Sequence, residues 1–262
     1  MRISTRIGLT ACLSLVSCLS ANAADITPLM APTAPVEETE SGWQFTVAPY
    51  FWIAGISGDT AQFGLPTVHI DSDFGDIWDN LDFAAMGIIE ARKDRFSIFS
   101  DLIYSKLSGD GKARGIFTDT VDVESETFAG LIAVGYTVFE DQQSHLDVVG
   151  GAKVWSVDTT ISFHGGPLDG VSREDGETWV DGMVGLRGAY YMTPEIYLTG
   201  WGIVGAGGAD IDWDVGLGLG YRFSDTISAV AGYRAVGVDY DNDGFIFDTV
   251  QQGPILGVSI RF

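Results

Sequence analysis

Fourteen charged side chains recur singly among apolar and small residues along the chain: Asp82, Glu90, Arg92, Asp101, Glu124, Glu126, Lys153, Asp181, Arg187, Asp212, Asp214, Arg222, Arg234 and Arg261. Each interrupts an alternating segment on the phase opposite to its apolar neighbours, so all of them can share one enclosed polar space. Two chemistries suit such a set. Opposite charges can pair into a network that fills the space, and confinement insulates those pairs better than a surface would. Alternatively, a ring of carboxylates can line a narrow path that prefers cations. Arg92, Arg187, Arg222 and Arg261 lie beside short polar breaks or the C-terminus. Lys153 and Arg234 lie mid-segment, with Asp101 about midway. Asp82, Glu124, Glu126, Asp181, Asp212 and Asp214 lie toward the longer breaks, and Glu90 and Asp147 depart from the trend. The expected interior is therefore graded, acidic at one end and basic at the other.

Two further patterns could do chemistry. Asp239-Tyr240-Asp241-Asn242-Asp243-Gly244 has the spacing of a calcium loop, in which alternate oxygens converge on a hard cation and a glycine makes the sharp turn. The twelfth position is Val250 rather than glutamate, so an acidic surface loop explains the segment equally well, and Ca2+ at Asp239, Asp241 and Asp243 is an expectation to test. The chain has three histidines. His69 precedes Asp71 and Asp73, His164 precedes Asp169, and a His–Asp pair could activate water. No nucleophile signature accompanies them, and a non-enzymatic protein is the expectation, with a hydrolase as the alternative.

The elements that position these residues begin with an export signal. Arg2 and Arg6, an apolar stretch from Ile7 to Leu19 and the small-residue pattern Ala21-Asn22-Ala23 predict cleavage before Ala24. Leu15-Val16-Ser17-Cys18 offers lipidation at Cys18 as the competing processing. Cleavage after Ala23 removes Cys12 and Cys18, both cysteines of the chain. It also removes Arg2 and Arg6 from 14 basic residues, leaving 12 against 36 acidic ones, a net charge of −24. Such a charge repels nucleic acid and favours divalent cations or basic ligands. Residues 24–42, with Pro28, Pro32 and Pro35, predict a leader without periodicity.

From Trp43 onward the chain alternates in segments longer than soluble strands usually are. Ile211, Trp213, Val215, Leu217, Leu219, Tyr221 and Phe223 oppose Asp212, Asp214, Gly216, Gly218, Gly220 and Arg222. An apolar face without polar relief, opposite glycines and isolated charges, describes a strand with lipid outside and a narrow lumen inside. Ten strands are expected, at 43–57, 81–92, 96–107, 124–138, 145–161, 178–191, 196–206, 210–223, 226–240 and 248–262, with eight as the alternative. Short turns at 93–95, 140–144, 193–195 and 224–226 alternate with longer connections, and Asp76 to Leu81 predicts a helical turn in the first of these. Phe96, Tyr136, Phe139, Tyr190, Tyr191, Tyr197, Tyr221, Phe223 and Phe262 gather near the short turns as an aromatic girdle. Pro49 and Pro254 fall inside the first and last strands, where a missing donor is tolerable at a seam.

Several segments resemble Gram-negative outer-membrane β-barrel proteins of the small porin-like kind: Trp43 to Trp52, Asn80 to Ala84 with Glu90 to Lys93, Trp179-Val180-Asp181, Gly185-Leu186-Arg187, Gly232-Tyr233-Arg234 and Gly253-Pro254. The terminal Phe262 resembles the signal read by the barrel-assembly machinery. The resemblance implies an all-β, antiparallel up-and-down transmembrane barrel over residues 43–262 in the cell outer membrane. It further implies lipid and lipopolysaccharide as surroundings and assembly machinery as a transient partner, without a defined activity. The expected role is a structural envelope component or a narrow, cation-preferring passive channel. A surface enzyme or a cation- or ligand-binding protein using an acidic rim is the alternative.

Overall fold

The computed structural model describes residues 42–112, 120–141 and 144–262. The expected signal and leader fall outside these residues, Gly42 excepted. Twelve strands are present among them: β1 (Gln44–Trp52), β2 (Gly55–Ala61), β3 (Val68–Ser72), β4 (Leu81–Lys93), β5 (Phe96–Lys112), β6 (Thr120–Asp141), β7 (Ser144–His164), β8 (Ser172–Tyr191), β9 (Ile196–Gly207), β10 (Ile211–Arg222), β11 (Ile227–Asn242) and β12 (Phe245–Arg261). Ten of them form a ring in the order β1, β4 to β12, each antiparallel to its neighbours, and β1 pairs with β12 to close it. Closure leaves no free edge within the ring, which is how strands satisfy their backbone in lipid.

The outward face of the ring is apolar. Ile132, Val134, Val180, Val184, Leu217, Leu219, Leu256 and Val258 are all exposed there. Phe96, Tyr136, Phe139, Tyr190, Tyr221, Phe223 and Phe262 are exposed at the short-turn end, as a girdle requires. Tyr191 and Tyr197 do not join it. They sit one residue out of phase with the outward set and stack on each other inside the lumen, ring centroids 4.9 Å apart.

The strands run further than a bilayer crossing of about 9–11 residues needs. β6 has 22 residues and β7 has 21, so within the connections expected at 109–123 and 162–177 the residues 109–112, 120–123, 162–164 and 172–177 are paired strand. The connection expected at 241–247 is a two-residue turn, with Asp243 and Gly244 at positive φ and Asn242 opposite Phe245. This is the backbone such a turn needs to follow the strand twist. The segment expected as the first strand divides at Ile53. There the backbone N–H donates to the Pro254 carbonyl, and β2 continues along the upper part of β12 with β3 on its far side. The β1–β12 ladder registers at Thr46, Val47, Tyr50, Phe51 and Trp52 and skips Ala48 and Pro49, the seam expected from the prolines. The helical turn of the first connection is α1 (Phe74–Asp79). It starts earlier than expected because Asp73 caps it by accepting from the Asp76 N–H at 3.1 Å.

Candidate functional site

Within the lumen, side chains arrive in layers set by strand phase. Tyr50 and Trp52 of β1, Asp101 of β5, Lys153, Trp155 and Val157 of β7, Trp179 and Asp181 of β8, Asp212 and Asp214 of β10, Arg234 of β11 and Phe247 of β12 are all buried. They form the middle and upper filling. Lower down come Glu90 and Arg92 of β4, Asp147 of β7 and Arg187 of β8. Arg222 and Arg261 stand at the short-turn end of a cavity of about 460 Å3.

The charges are cross-linked across the ring. Arg234 donates to both carboxylate oxygens of Asp214, to Asp101 at 2.7 Å and to the Tyr50 hydroxyl at 2.7 Å, and Tyr50 in turn donates to Asp101 at 2.7 Å. Its guanidinium also lies over the rings of Trp52 and Trp201, at 5.2 and 5.6 Å. Lys153 reaches Asp212 at 2.8 Å, and the Trp155 indole N–H donates to the other oxygen of the same carboxylate at 2.7 Å. Asp181 accepts the Ala209 N–H at 2.8 Å. In the lower layer, Glu90 receives Arg92 and Arg187, while Asp147 receives Arg92 and, at 2.7 Å, the Thr137 hydroxyl. Each buried charge thus meets its opposite or a hydrogen-bond donor, the condition under which burial is tolerable. In the middle and upper layers, Asp101, Asp181, Asp212 and Asp214 face Lys153 and Arg234. In the lower layer, Glu90 and Asp147 balance Arg92 and Arg187.

Eleven of the fourteen charges singled out from the sequence occupy the lumen, and three do not. Glu124 and Glu126 share the outward phase of Phe128, Ile132 and Val134, and both bind Lys106, at 2.7 and 3.0 Å. Asp82 sits at a register shift between Leu81 and Phe83, is exposed, and accepts the Ser108 hydroxyl. The physical reason is common to all three. The rule that polar side chains face inward holds only within the apolar belt, and these strands continue above it, where outward side chains meet water.

An aromatic cluster that the charge pattern did not announce lies in the upper lumen. Trp155 stacks on Trp179 at 6.0 Å, Trp179 on Tyr240 at 4.0 Å, and Trp155 meets Phe247 at 6.2 Å. β7 and β12 are five positions apart in a ring of ten, so Trp155 and Phe247 touch across its full diameter. The sequence did hold the signal: Trp155 and Trp179 are each two residues from an inward charge, Lys153 and Asp181.

Neither of the other two patterns assembles with the partners expected. Asp239 and Asp241 lie along β11 on its outward face and Asp243 lies in the turn. Among the described residues no three acidic, histidine or cysteine side chains gather as a metal site. His69 pairs with Asp59 at 2.7 Å rather than with Asp71 or Asp73, and His164 pairs with Asp122 at 2.9 Å. The two sit on different strand pairs, β2–β3 and β6–β7.

Outside comparison agrees with this geometry. The outer-membrane protease OmpT from Escherichia coli superposes with a TM-score of 0.56 at 11% identity, over 84% of this chain and 97% of that one. The fold is that of an outer-membrane β-barrel. The translocator domain of the autotransporter NalP from Neisseria meningitidis (TM-score 0.41, 14% identity, 86% and 90% covered) and the attachment invasion locus protein Ail of Yersinia pestis (0.37, 10%, 84% and 99%) are more distant. No family model and no curated protein matches the chain.

Proposed function

We propose that this protein is a closed, non-enzymatic barrel of the Gram-negative outer membrane, a structural envelope component rather than a channel. The observation that carries the reading is the Trp155–Phe247 contact across the diameter, with the Arg234 cluster below it. A ten-stranded ring is narrow enough for side chains to fill, and here aromatic rings and paired charges occupy the section that a cation path would need. The short turns then face the periplasm and the extended strands face outward, as is general for this class. Lipid and lipopolysaccharide contact the apolar outer face, and the exposed C-terminal Phe262 is offered to the assembly machinery. OmpT is a protease by its name. The His69–Asp59 and His164–Asp122 pairs lie on separate elements, which favours the non-enzymatic reading here.

Purified protein in a planar bilayer should pass no current at any voltage, while refolded samples run faster unheated than boiled. Stable ohmic steps that track the amount of folded protein would overturn the closed barrel.

A further inference from the structure

Beneath the Arg234 cluster the lumen is not filled. The cavity there runs from Asp101 and Asp214 down to Asp94, Arg222 and Arg261 at the short-turn end. At about 460 Å3 it matches the size of a small-molecule site. One wall is apolar, made by Phe99, Leu131, Ile203 and the Trp201 ring. The opposite character comes from arginines whose bonding is incomplete. Arg187 gives Nη2 to Glu90, but its Nη1 is buried with no hydrogen-bond partner. Arg222 donates to the Pro194 carbonyl and lies 5.4 Å from the Tyr191 ring, and neither it nor Arg261 pairs with a carboxylate among the described residues. The lining carboxylates Glu90, Asp101 and Asp214 are already held by arginines. Asp94 and Glu140, near the short turns, are exposed.

We propose that this cavity binds a small carboxylate with an apolar body, entering from the periplasmic side. A guanidinium fork matches a planar carboxylate in two parallel hydrogen bonds. Arg222 and Arg261 line the cavity at its short-turn end and are the forks open to a ligand. Leu131, Ile203 and the Trp201 ring give the body of the ligand an apolar surface to cover, while Arg187 lies 4.6 Å over the Phe99 ring; inorganic phosphate has no such body. The proposal rests on the closed-lumen reading only for the dead end of the cavity.

Equilibrium dialysis of the full barrel in detergent tests it with three probes: benzoate, benzyl alcohol and inorganic phosphate. Benzoate is expected to saturate at one site per barrel, to lose at least tenfold in affinity in the Arg222→Gln/Arg261→Gln variant, and to weaken as salt is raised. Benzyl alcohol and phosphate are expected not to saturate. Absent saturation by benzoate, unchanged affinity in a variant that keeps its heat-dependent gel shift, or equal binding of phosphate overturns the proposal. If the double variant does not assemble, the salt series on the unaltered protein decides, and an affinity indifferent to salt overturns it. Dialysis does not require a sealed barrel, so a conducting protein would refute the closed lumen and leave the binding result readable.

Discussion

Arg234 is the side chain on which most of the lumen's polar bonding converges. It is buried on β11 and joins Asp214 on the neighbouring strand to Tyr50 on β1, two strands away, and to Asp101 on β5, four strands away. Removing one member of such a buried set strands the others, typically at about 3–5 kcal/mol, because the remaining charges keep their desolvation penalty without its compensation. Arg234→Met conserves the stem and removes the guanidinium, leaving Asp101 and Asp214 to face each other unpaired. Its unfolding transition in urea and detergent should fall by that order, while Asp82→Ala, at an exposed carboxylate, should leave the midpoint in place. An Arg234→Met barrel as stable as the parent would mean that the cluster is a filler and not a clamp. Residue types of this kind were legible in the sequence; partners were not. Arg234 and Asp101 stand 133 positions apart, and only the order of strands around the ring brings them together.

The strands themselves were readable because lipid on one face and a narrow lumen on the other impose a period of two over long runs. Where that constraint ends, so did legibility. Above the belt, outward positions turn polar, so the period of two alone assigns Glu124 and Glu126 to the lumen and reads the upper hairpins as loops. β10 shows how much sequence detail a single strand can carry. Its inward glycines at 216 and 220 are the floor on which Trp201 and Tyr197 of β9 lie, since any Cβ there would collide with those rings. Trp201 placed this way donates its indole N–H to Asp214 at 2.7 Å, so the glycine and the charge cluster are coupled through one ring. Gly216→Val should push Trp201 off Asp214 and cost about 1–3 kcal/mol, the usual range for a buried polar group that loses its partner. Gly208→Ala, in the connection outside the ring of strands, offers a poorer comparison because its Cβ would meet Trp179. Gly170→Ala has open space but a positive φ. The measurement is therefore the Gly216 series itself, Ala against Val, with the loss expected to grow with side-chain size.

At the scale of the molecule, the large negative charge is carried mostly outside the lumen, on the strand extensions above the apolar belt. One part of it runs across neighbouring strands on the outward face. Asp239 of β11 stands opposite Asp248 of β12, and Asp248 stands opposite Asp59 of β2. Asp210 donates its backbone N–H to the Asp239 carbonyl at 2.8 Å. Partial burial, then the nearby charges of Asp248, Asp210 and Asp241, push the Asp239 carboxyl above its ordinary value of 3.8. Lys106, the cation between Glu124 and Glu126, is held above the ordinary lysine value by its hydrogen bonds to both and stays charged throughout the accessible range. For Asp239 the sign follows from proton binding. Between the ordinary and the raised value the folded protein holds more proton than the unfolded chain, so stability contributed by this group rises as pH falls. At neutral pH the group is ionised in both states and the cost of its partial burial and of the neighbouring charges is fully present in the fold; below the ordinary value both states are protonated and that cost is gone. Asp239→Asn should therefore raise the melting temperature at pH 7, and the gap between variant and parent should close as pH drops toward 4. Comparing the two proteins at each pH cancels the acid sensitivity of the paired lumen charges, which both retain. A gap that stays constant with pH would show that the substitution acts through packing or strand propensity and that the acidic row exerts no repulsion on the fold.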